Sequence, residues 1–236
     1  MFMNLNTGLL YDRPIEGFAI FAIMFAVLFT AYLLGSINSA ILISKLVYHD
    51  DIRKHGSGNG GATNMLRTFG GKAAALTIIG DLMKTAIAIL IAGMVYGFWY
   101  TAGIATSEMC YMAGLFAVLG HVFPLYYGFK GGKGVLVTST MALILTPVPF
   151  LILFVLFAAI VWMSKYVSLG SVSVVILYPV LLHGAFAVLF ESPMPGLMAL
   201  STIILACLIV WCHKENLKRI TEGTENKISF KKKKDE

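Results

Sequence analysis

The stretch 55–67 is polar and rich in glycine, whereas most of the chain is apolar. It reads His-Gly-Ser-Gly-Asn-Gly-Gly-Ala-Thr-Asn-Met-Leu-Arg. Glycines let a backbone turn its N–H groups toward an anion, and this stretch has four: Gly56, Gly58, Gly60 and Gly61. A helix that starts at Thr63 or Asn64 as N-cap would place Thr63, Asn64 and Arg67 on one face, directed at the loop. We therefore predict a phosphate pocket, with a flexible glycine linker as the alternative.

The same stretch matches the glycine spacing of dinucleotide-binding loops, Gly-x-Gly-x-x-Gly. That motif needs a preceding strand within a βαβ unit. Here a long apolar segment and a charged patch precede the glycines. The sequence therefore excludes a dinucleotide site.

A second glycine-rich loop, Lys-Gly-Gly-Lys-Gly, occupies 130–134. Its two ammonium groups stand beside backbone that a ligand can approach closely. The loop is not a Walker A motif, because the glycine spacing differs and no Ser or Thr follows the second lysine. Phosphate binding and a basic membrane-flanking loop with snorkelling lysines are both open interpretations.

Three further polar groups lie within or beside apolar segments. Asp81 and Lys84 are three residues apart within one segment, and charges inside a membrane are by default candidates for function. We favour mutual neutralisation of these two charges. We likewise favour a hydrogen-bonded packing role over a base for His121. His213 and Asn216 lie one helical turn apart at the end of the last segment, where a solvated flank is the alternative to a site.

Composition indicates an integral membrane protein. The chain has 236 residues, of which 58% are hydrophobic and 13% charged, against about 25% charged in soluble domains. We predict one polytopic membrane domain over 1–236, with 228–236 as a disordered basic tail. The net charge of +6 is explained by basic residues that flank membrane spans, so we expect no nucleic acid partner. The three cysteines lack metal-ligand spacing, and we expect no metal ion.

The apolar segments predict an all-α bundle of about seven transmembrane helices. Five of the spans lie at about 18–43, 73–100, 109–127, 169–190 and 196–211. Two more lie between the third and the last two, a shorter one that starts at 135 and another that ends at 163. Lys and Arg are concentrated in the loops 45–72, 128–134 and 164–168 and in the tail. By the positive-inside rule we expect the N-terminus outside, the C-terminus in the cytoplasm, and the glycine-rich loops at the cytoplasmic face of the cell membrane.

Four motifs in this order resemble one family. They are His-Gly-Ser-Gly-Asn-x-Gly-Ala-Thr-Asn-x-x-Arg at 55–67, Gly-His-x-Phe-Pro…Phe-Lys-Gly-Gly-Lys-Gly-Val at 120–135, Ser-Leu-Gly-Ser at 168–171, and His-x-x-Asn-x-x-Arg…Gly-x-Glu-x-Lys at 213–227. The chain resembles the acyl-phosphate-dependent glycerol-3-phosphate acyltransferases, the PlsY-type enzymes of bacterial membranes. The resemblance implies a seven-helix enzyme of phospholipid biosynthesis. It would transfer an acyl chain from long-chain acyl phosphate to glycerol 3-phosphate, giving lysophosphatidic acid and phosphate.

The resemblance also implies a set of site residues. Those expected in catalysis are Ser57, Arg67, Lys133, Ser171, His213 and Asn216. Those expected to bind substrate are His55, Gly56, Gly58, Asn59, Gly60, Gly61, Thr63, Asn64, Lys130, Gly131, Gly132 and Ser168. Ser168 is an alternative to Ser171. Gly60, Thr85 and Lys165 stand where the family usually has other residues.

The chain lacks the His-x4-Asp dyad of the acyltransferases that attack thioesters, since no histidine is followed by aspartate five positions later. An acyl phosphate expels phosphate, a better leaving group than a thiol, so positioning and charge balance suffice for much of the work. The base is His213 or, as we favour, a phosphate oxygen of the substrate. No cofactor is expected. A soluble enzyme that produces acyl phosphate is a candidate partner.

A membrane carrier for a phosphorylated metabolite is the alternative function. Carriers usually bind their substrate near the bilayer midplane. Here the polar motifs lie at one interface, which favours the enzyme.

Overall fold

The structure is a computed structural model that describes residues 16–98, 106–189 and 191–228. This part of the chain contains ten α-helices and no strand. They are α1 (Glu16–Ser36), α2 (Ser39–Val47), α3 (Ala62–Phe69), α4 (Gly71–Phe98), α5 (Thr106–Val122), α6 (Val135–Leu145), α7 (Pro147–Ser164), α8 (Val167–Leu189), α9 (Gly196–Cys212) and α10 (Lys214–Thr221). Two 3-10 helices, Ile52–Lys54 and Leu125–Tyr127, lie in the connections. The all-helical prediction is confirmed.

Five helical segments are long and apolar enough to cross a membrane: Phe18–Ser36, Gly71–Gly97, Ser107–Tyr127, Pro147–Ser164 and Val167–Leu189. A sixth results if α9 and α10, which are bent by 52°, form one span. Helix α6 has 11 residues and is about 16 Å long at 1.5 Å per residue, which is short of the roughly 30 Å hydrocarbon layer. The membrane class is confirmed, while the count of seven spans and the orientation stay predictions.

The first apolar segment is broken, so the expected continuous helix over 18–43 is wrong. Helix α1 ends at Ser36, and α2 starts at Ser39. Asn38 is the N-cap of α2, and its Oδ1 accepts a hydrogen bond from the Ile41 N–H at 3.0 Å. This cap explains how a helix restarts within an apolar segment, because a side-chain acceptor satisfies one of the unpaired N–H groups of the first turn.

The chain divides into two compact units. The first comprises Met1–Thr146 and Pro195–Ser201, and the second comprises Pro147–Met194 and Thr202–Glu236. Within the first unit, α1 packs against α4 and α5, and α4 also contacts α2, α3 and α6. Within the second unit, α7 packs along α8, and α10 contacts α8. The single membrane domain over 1–236 stays a prediction.

Of the predicted tail over 228–236, the structure describes Ile228 alone. Its N–H donates a hydrogen bond to the Lys165 carbonyl at 2.9 Å. The other tail residues lie outside the described ranges.

Candidate active site

An apolar cluster forms the base of the glycine-rich stretch. Its fully buried members come from α2, the first 3-10 helix, α3 and α4: Ala40, Ile41, Ile52, Met65 and Ala73. The cluster anchors the chain on both sides of 55–61. The loop 55–61 therefore connects two segments that are both held by this cluster.

Helix α3 begins at Ala62, two residues before the start that an N-cap at Thr63 would give. Its N-cap is Gly61, which makes no side-chain cap hydrogen bond. The prediction that Thr63 or Asn64 caps this helix is therefore wrong. Thr63 is exposed, whereas Asn64 is buried within the first turn.

Asn64 organises the glycine loop instead of capping the helix. Its Oδ1 accepts from the Ser57 N–H at 3.1 Å. Its Nδ2 lies within hydrogen-bonding distance of three carbonyl oxygens, those of Ile52 at 3.2 Å, His55 at 3.0 Å and Asn59 at 3.1 Å. Since an amide nitrogen has only two protons, at least one of these bonds is shared. The buried Asn64 side chain thus holds backbone groups along the whole loop.

The close approach of Asn64 requires a glycine at position 56. Gly56 has φ of +55°, and a Cβ atom there would collide with Asn64 Oδ1. Any larger residue at position 56 would therefore be strained, because the backbone conformation favours glycine and a Cβ atom has no room there.

The backbone N–H groups of the loop are largely engaged within the protein. Gly58 donates to His55 O at 2.9 Å and Gly61 to Asn59 O at 3.1 Å, while the Ser57 N–H is held by Asn64. This differs from the expected cradle of inward N–H groups. Phosphate contacts at these positions therefore depend on side chains.

Three candidate side chains of the stretch are exposed, Ser57, Thr63 and Arg67. Among the described residues, no hydrogen bond or ion pair engages the Arg67 guanidinium. Asn59 Nδ2 lies 3.3 Å from Ser57 Oγ. The Ser57 hydroxyl on the loop and the Arg67 guanidinium on α3, a planar group that binds two phosphate oxygens at once, are thus both exposed to solvent.

An ion pair between Asp51 and Arg53 lies next to the glycine loop, and the sequence did not predict a role for it. The Arg53 Nε–H is shared between the two carboxylate oxygens of Asp51 at 3.0 and 3.2 Å, and Nη2 donates to one of them at 2.7 Å. Arg53 Nη1 also donates to Tyr127 O at 2.9 Å, which ties this segment to the second 3-10 helix. The Arg53 hydrogen bonds lower the pKa of Asp51 to about 2. Nearby, His55 Nε2 lies 2.6 Å from Asp50 Oδ2.

The two glycine-rich loops are adjacent, in agreement with their predicted common side. The Gly60 N–H points to Gly131 O at 3.4 Å, a weak contact. Gly131 and Gly132 donate in turn to Val122 O at 3.2 Å and His121 O at 3.1 Å. A Cβ atom at Gly132 would collide with the His121 ring. This loop is thus held against the end of α5.

The lysines of the second loop differ in exposure. Lys130 is exposed and Lys133 is half-buried. Both belong to the loop that contacts Gly60, so the first unit holds Ser57 and two lysines on adjacent loops and Arg67 on the helix that follows the first loop. Cationic groups and a hydroxyl are the kinds of side chain that bind a phosphate dianion.

The second unit has its own polar cluster, centred on Glu225. One carboxylate oxygen accepts from Ser168 Oγ at 2.8 Å and Asn216 Nδ2 at 2.6 Å, and the other accepts from Arg219 Nε at 2.8 Å. Burial alone would raise the pKa of Glu225, but the hydrogen bonds from Asn216, Arg219 and Ser168 outweigh it and lower the pKa. Sequence reasoning assigned no role to Glu225, although the Gly-x-Glu of the fourth motif contained it.

His213 lies at the bend between α9 and α10 and is buried, so the alternative of a solvated flank is wrong. Its Nδ1 lies 2.7 Å from Ile209 O. Because a carbonyl oxygen only accepts, Nδ1 carries the proton, and Nε2 is the basic nitrogen of the neutral ring. Ser171 Oγ donates to Val167 O at 2.9 Å. Ser168 is the serine that contacts the Glu225 cluster.

The expected catalytic residues therefore fall into two groups, three in each unit. Ser57, Arg67 and Lys133 belong to the first unit, and Ser171, His213 and Asn216 belong to the second. Within residues 16–98, 106–189 and 191–228, no group of three or more His, Cys, Asp or Glu side chains could hold a metal ion.

Comparison with known proteins identifies the family. A family model described as glycerol-3-phosphate acyltransferase matches residues 25–223. The glycerol-3-phosphate acyltransferase of Alkaliphilus metalliredigens is 38% identical over 205 residues, which cover 87% of this chain and 96% of that protein. The enzyme of the same name from Bacillus subtilis is 35% identical over 201 residues, which cover 85% and 95%.

Solved structures agree. The crystal structure of PlsY (YgiH), an integral membrane glycerol 3-phosphate acyltransferase, in its glycerol 3-phosphate form has a TM-score of 0.74 and 33% identity. The similarity covers 87% of this chain and 96% of that one. Its lysophosphatidic acid form has a TM-score of 0.70. The chain therefore belongs to the glycerol-3-phosphate acyltransferase family.

Proposed function

We propose that this acyltransferase takes its acyl group from long-chain acyl phosphate and transfers it to glycerol 3-phosphate. The products are lysophosphatidic acid, the first acylated intermediate of phospholipid synthesis, and inorganic phosphate. The observation that carries this proposal is the pair of adjacent loops in the first unit. Ser57, Lys130 and Lys133 belong to these loops and Arg67 to the helix that follows the first one, which suits a reaction whose two substrates and both products carry phosphate.

The reaction needs one bond exchange. A hydroxyl oxygen of glycerol 3-phosphate attacks the acyl carbonyl carbon, and the bond from that carbon to the phosphate oxygen breaks. The hydroxyl proton goes to the departing phosphate, whose second pKa is near neutral. Cations that are already in place stabilise the negative charge of the transition state without reorganising. Arg67 and the lysines supply this charge.

The proton acceptor is the substrate phosphate in this proposal. His213 is the alternative base, since its Nδ1 proton is held by Ile209 O and its Nε2 is therefore the basic nitrogen. In either case the proton is abstracted after the hydroxyl is positioned. A pH profile of kcat for His213→Gln separates the two bases, because only a His base is removed by this change.

The site lies at the cytoplasmic face of the cell membrane in this proposal. The support is the concentration of Lys and Arg in the glycine-rich loops and in the tail, as the positive-inside rule requires. A soluble enzyme that makes acyl phosphate then has access to the same face. Long acyl chains enter from the bilayer itself.

The decisive experiment uses purified protein with acyl phosphate and labelled glycerol 3-phosphate. We expect labelled lysophosphatidic acid and one equivalent of phosphate, with little or no product when acyl-CoA replaces acyl phosphate. Arg67→Ala is the matched inactive control. Equal turnover with acyl-CoA would defeat the choice of donor. Uptake of glycerol 3-phosphate by proteoliposomes, with no acylation, would instead support a carrier.

A further inference from the structure

We propose that Asp81 and Lys84 are positioning residues that fix the two glycine-rich loops relative to each other through the break between α1 and α2. The inference rests on the proposed function, since it concerns the same phosphate site. Both side chains lie on α4 and are almost fully buried, with 1% and 5% of their surface exposed. Neither touches the loops directly, so they act through other groups.

Lys84 closes the end of α1. Its Nζ lies 2.9 Å from Asp81 Oδ1, 3.1 Å from Gly35 O and 2.8 Å from Ile37 O. The last carbonyl groups of a helix have no partner within the helix and carry partial negative charge. A buried ammonium group at this place therefore satisfies carbonyls that the break would otherwise leave unpaired in the protein interior.

The Asp81 side chain lies beside the start of α2, just as Lys84 lies beside the end of α1. Its Oδ1 accepts a hydrogen bond from Ser39 Oγ at 2.9 Å, and Ser39 is the first residue of α2. A helix N-terminus favours negative charge. The cation thus stands at a helix C-terminus and the anion at a helix N-terminus. Simple neutralisation of two buried charges would not require this arrangement.

The break carries the residue that holds the first glycine loop. Asn38 is fully buried. Its Oδ1 caps α2, and its Nδ2 donates to Gly60 O at 3.1 Å. The position of the break therefore sets the position of Gly60, and through Gly60 the loop that carries Ser57.

A second connection leads from Lys84 to the other loop. Lys84 Nζ lies 3.0 Å from Nδ1 of the buried His121. The His121 carbonyl accepts from the Gly132 N–H at 3.1 Å, and its ring packs against Gly132. Since the Gly60 N–H points to Gly131 O, the contacts form a closed circuit. It runs from α4 through the break and both loops to α5 and back to α4.

The circuit predicts an effect that differs from loss of stability. Replacing a buried ion pair by neutral groups of similar size is often neutral or stabilising. If Asp81 and Lys84 only neutralise each other, the double variant Asp81→Asn/Lys84→Met should keep both its Tm and its kinetics. If they position the loops, this variant should raise the KM for glycerol 3-phosphate about tenfold or more, the loss of roughly one or two hydrogen bonds. Its Tm should also fall, because the carbonyls of Gly35 and Ile37 lose their donor.

Asn38→Ala tests the connection without touching the charges. We expect a similar rise in KM and, in combination with Lys84→Met, an effect clearly smaller than the sum of the two single effects, because both changes break one circuit. Lys84→Arg should retain part of the function. The control is Lys218→Met/Glu222→Gln, an exposed pair on α10 at 3.9 Å, which should leave KM and kcat unchanged.

The experiment measures kcat and KM for glycerol 3-phosphate, direct binding of labelled glycerol 3-phosphate, and Tm in detergent. Wild-type KM and binding in folded Asn38→Ala would overturn the inference, and so would wild-type kinetics in the double variant or additive effects in the cycle. If the wild-type protein binds glycerol 3-phosphate without acylating it, the proposed function fails. Weakened binding in Asn38→Ala and the double variant would still support the positioning role.

Discussion

Asn64 offers a sharp test of how the glycine loop is held. Its amide accepts one hydrogen bond from Ser57 N–H and directs its nitrogen at three carbonyl oxygens. Asn64→Asp keeps the size and shape of the side chain but replaces the donor nitrogen by an oxygen. That oxygen would face three carbonyl oxygens at about the present 3.0 to 3.2 Å, so attraction becomes repulsion.

The magnitude follows from the number of bonds lost. One accepted bond and two donated protons give at most three full hydrogen bonds, each worth about 0.5–1.5 kcal/mol net. Asn64→Ala should therefore weaken the ordered loop by about 1.5–4.5 kcal/mol, which is roughly one to three powers of ten in kcat/KM at ~1.4 kcal/mol per tenfold. Asn64→Asp should lose at least as much activity as Asn64→Ala, despite being the more conservative change in shape.

The assay is kcat/KM for glycerol 3-phosphate, with Tm measured on the same preparations. Thr68→Ala is the matched control, since Thr68 is half-buried on the same helix and is not part of the loop contacts. We expect it to stay within about threefold of wild type, as for most changes away from a site. Wild-type kcat/KM in Asn64→Asp would refute the reasoning, because a loop that tolerates this oxygen is not held by this amide.

Three further predictions concern charge, pH and topology. Arg67→Lys should lower kcat/KM by about one to three powers of ten with unchanged Tm, because a lysine lacks the bidentate fork; near-wild-type activity would make Arg67 a mere interfacial anchor. Since folding lowers the pKa of Glu225 from its ordinary value of 4.5, its contribution to stability is present above that value and is lost as pH falls through the lower folded pKa. Tm should therefore fall with acidification less steeply in Glu225→Gln, and identical pH profiles would contradict this. In a cysteine-free background, Ser57→Cys should react with an impermeant thiol reagent only from the cytoplasm and Ser192→Cys only from outside; the reverse pattern would invert the topology.

The sequence was sufficient to predict the helical membrane class and the two glycine-rich loops of the candidate site. Hydropathy and glycine spacing are local properties, so the 55–67 and 130–134 loops could be identified without coordinates. Their placement on one side followed from the charge bias. The pairing of Lys84 with Asp81 could also be predicted and is confirmed, because a spacing of three residues brings two side chains together on a helix.

The errors arose where a role depends on distant residues. Asn64 resembled a helix cap because Asn is favoured there, but its amide serves carbonyls that come from 52 to 59. The break at Asn38 depends on Lys84, 46 positions later, whose ammonium group lies within hydrogen-bonding distance of two carbonyl oxygens at the break. Glu225 was overlooked because its partners come from α8 and α10.

The charges of α4 have a consequence for the biosynthesis of the protein. Asp81 and Lys84 lie near the middle of a helix that must cross the membrane, where each charge costs about 2.5–3.5 kcal/mol during insertion by the translocon. Their partners at the break between α1 and α2 are synthesised earlier, and α4 satisfies these polar groups. We expect the nascent α1–α2 pair to stay beside the translocon until α4 emerges, so that the three helices enter the lipid together.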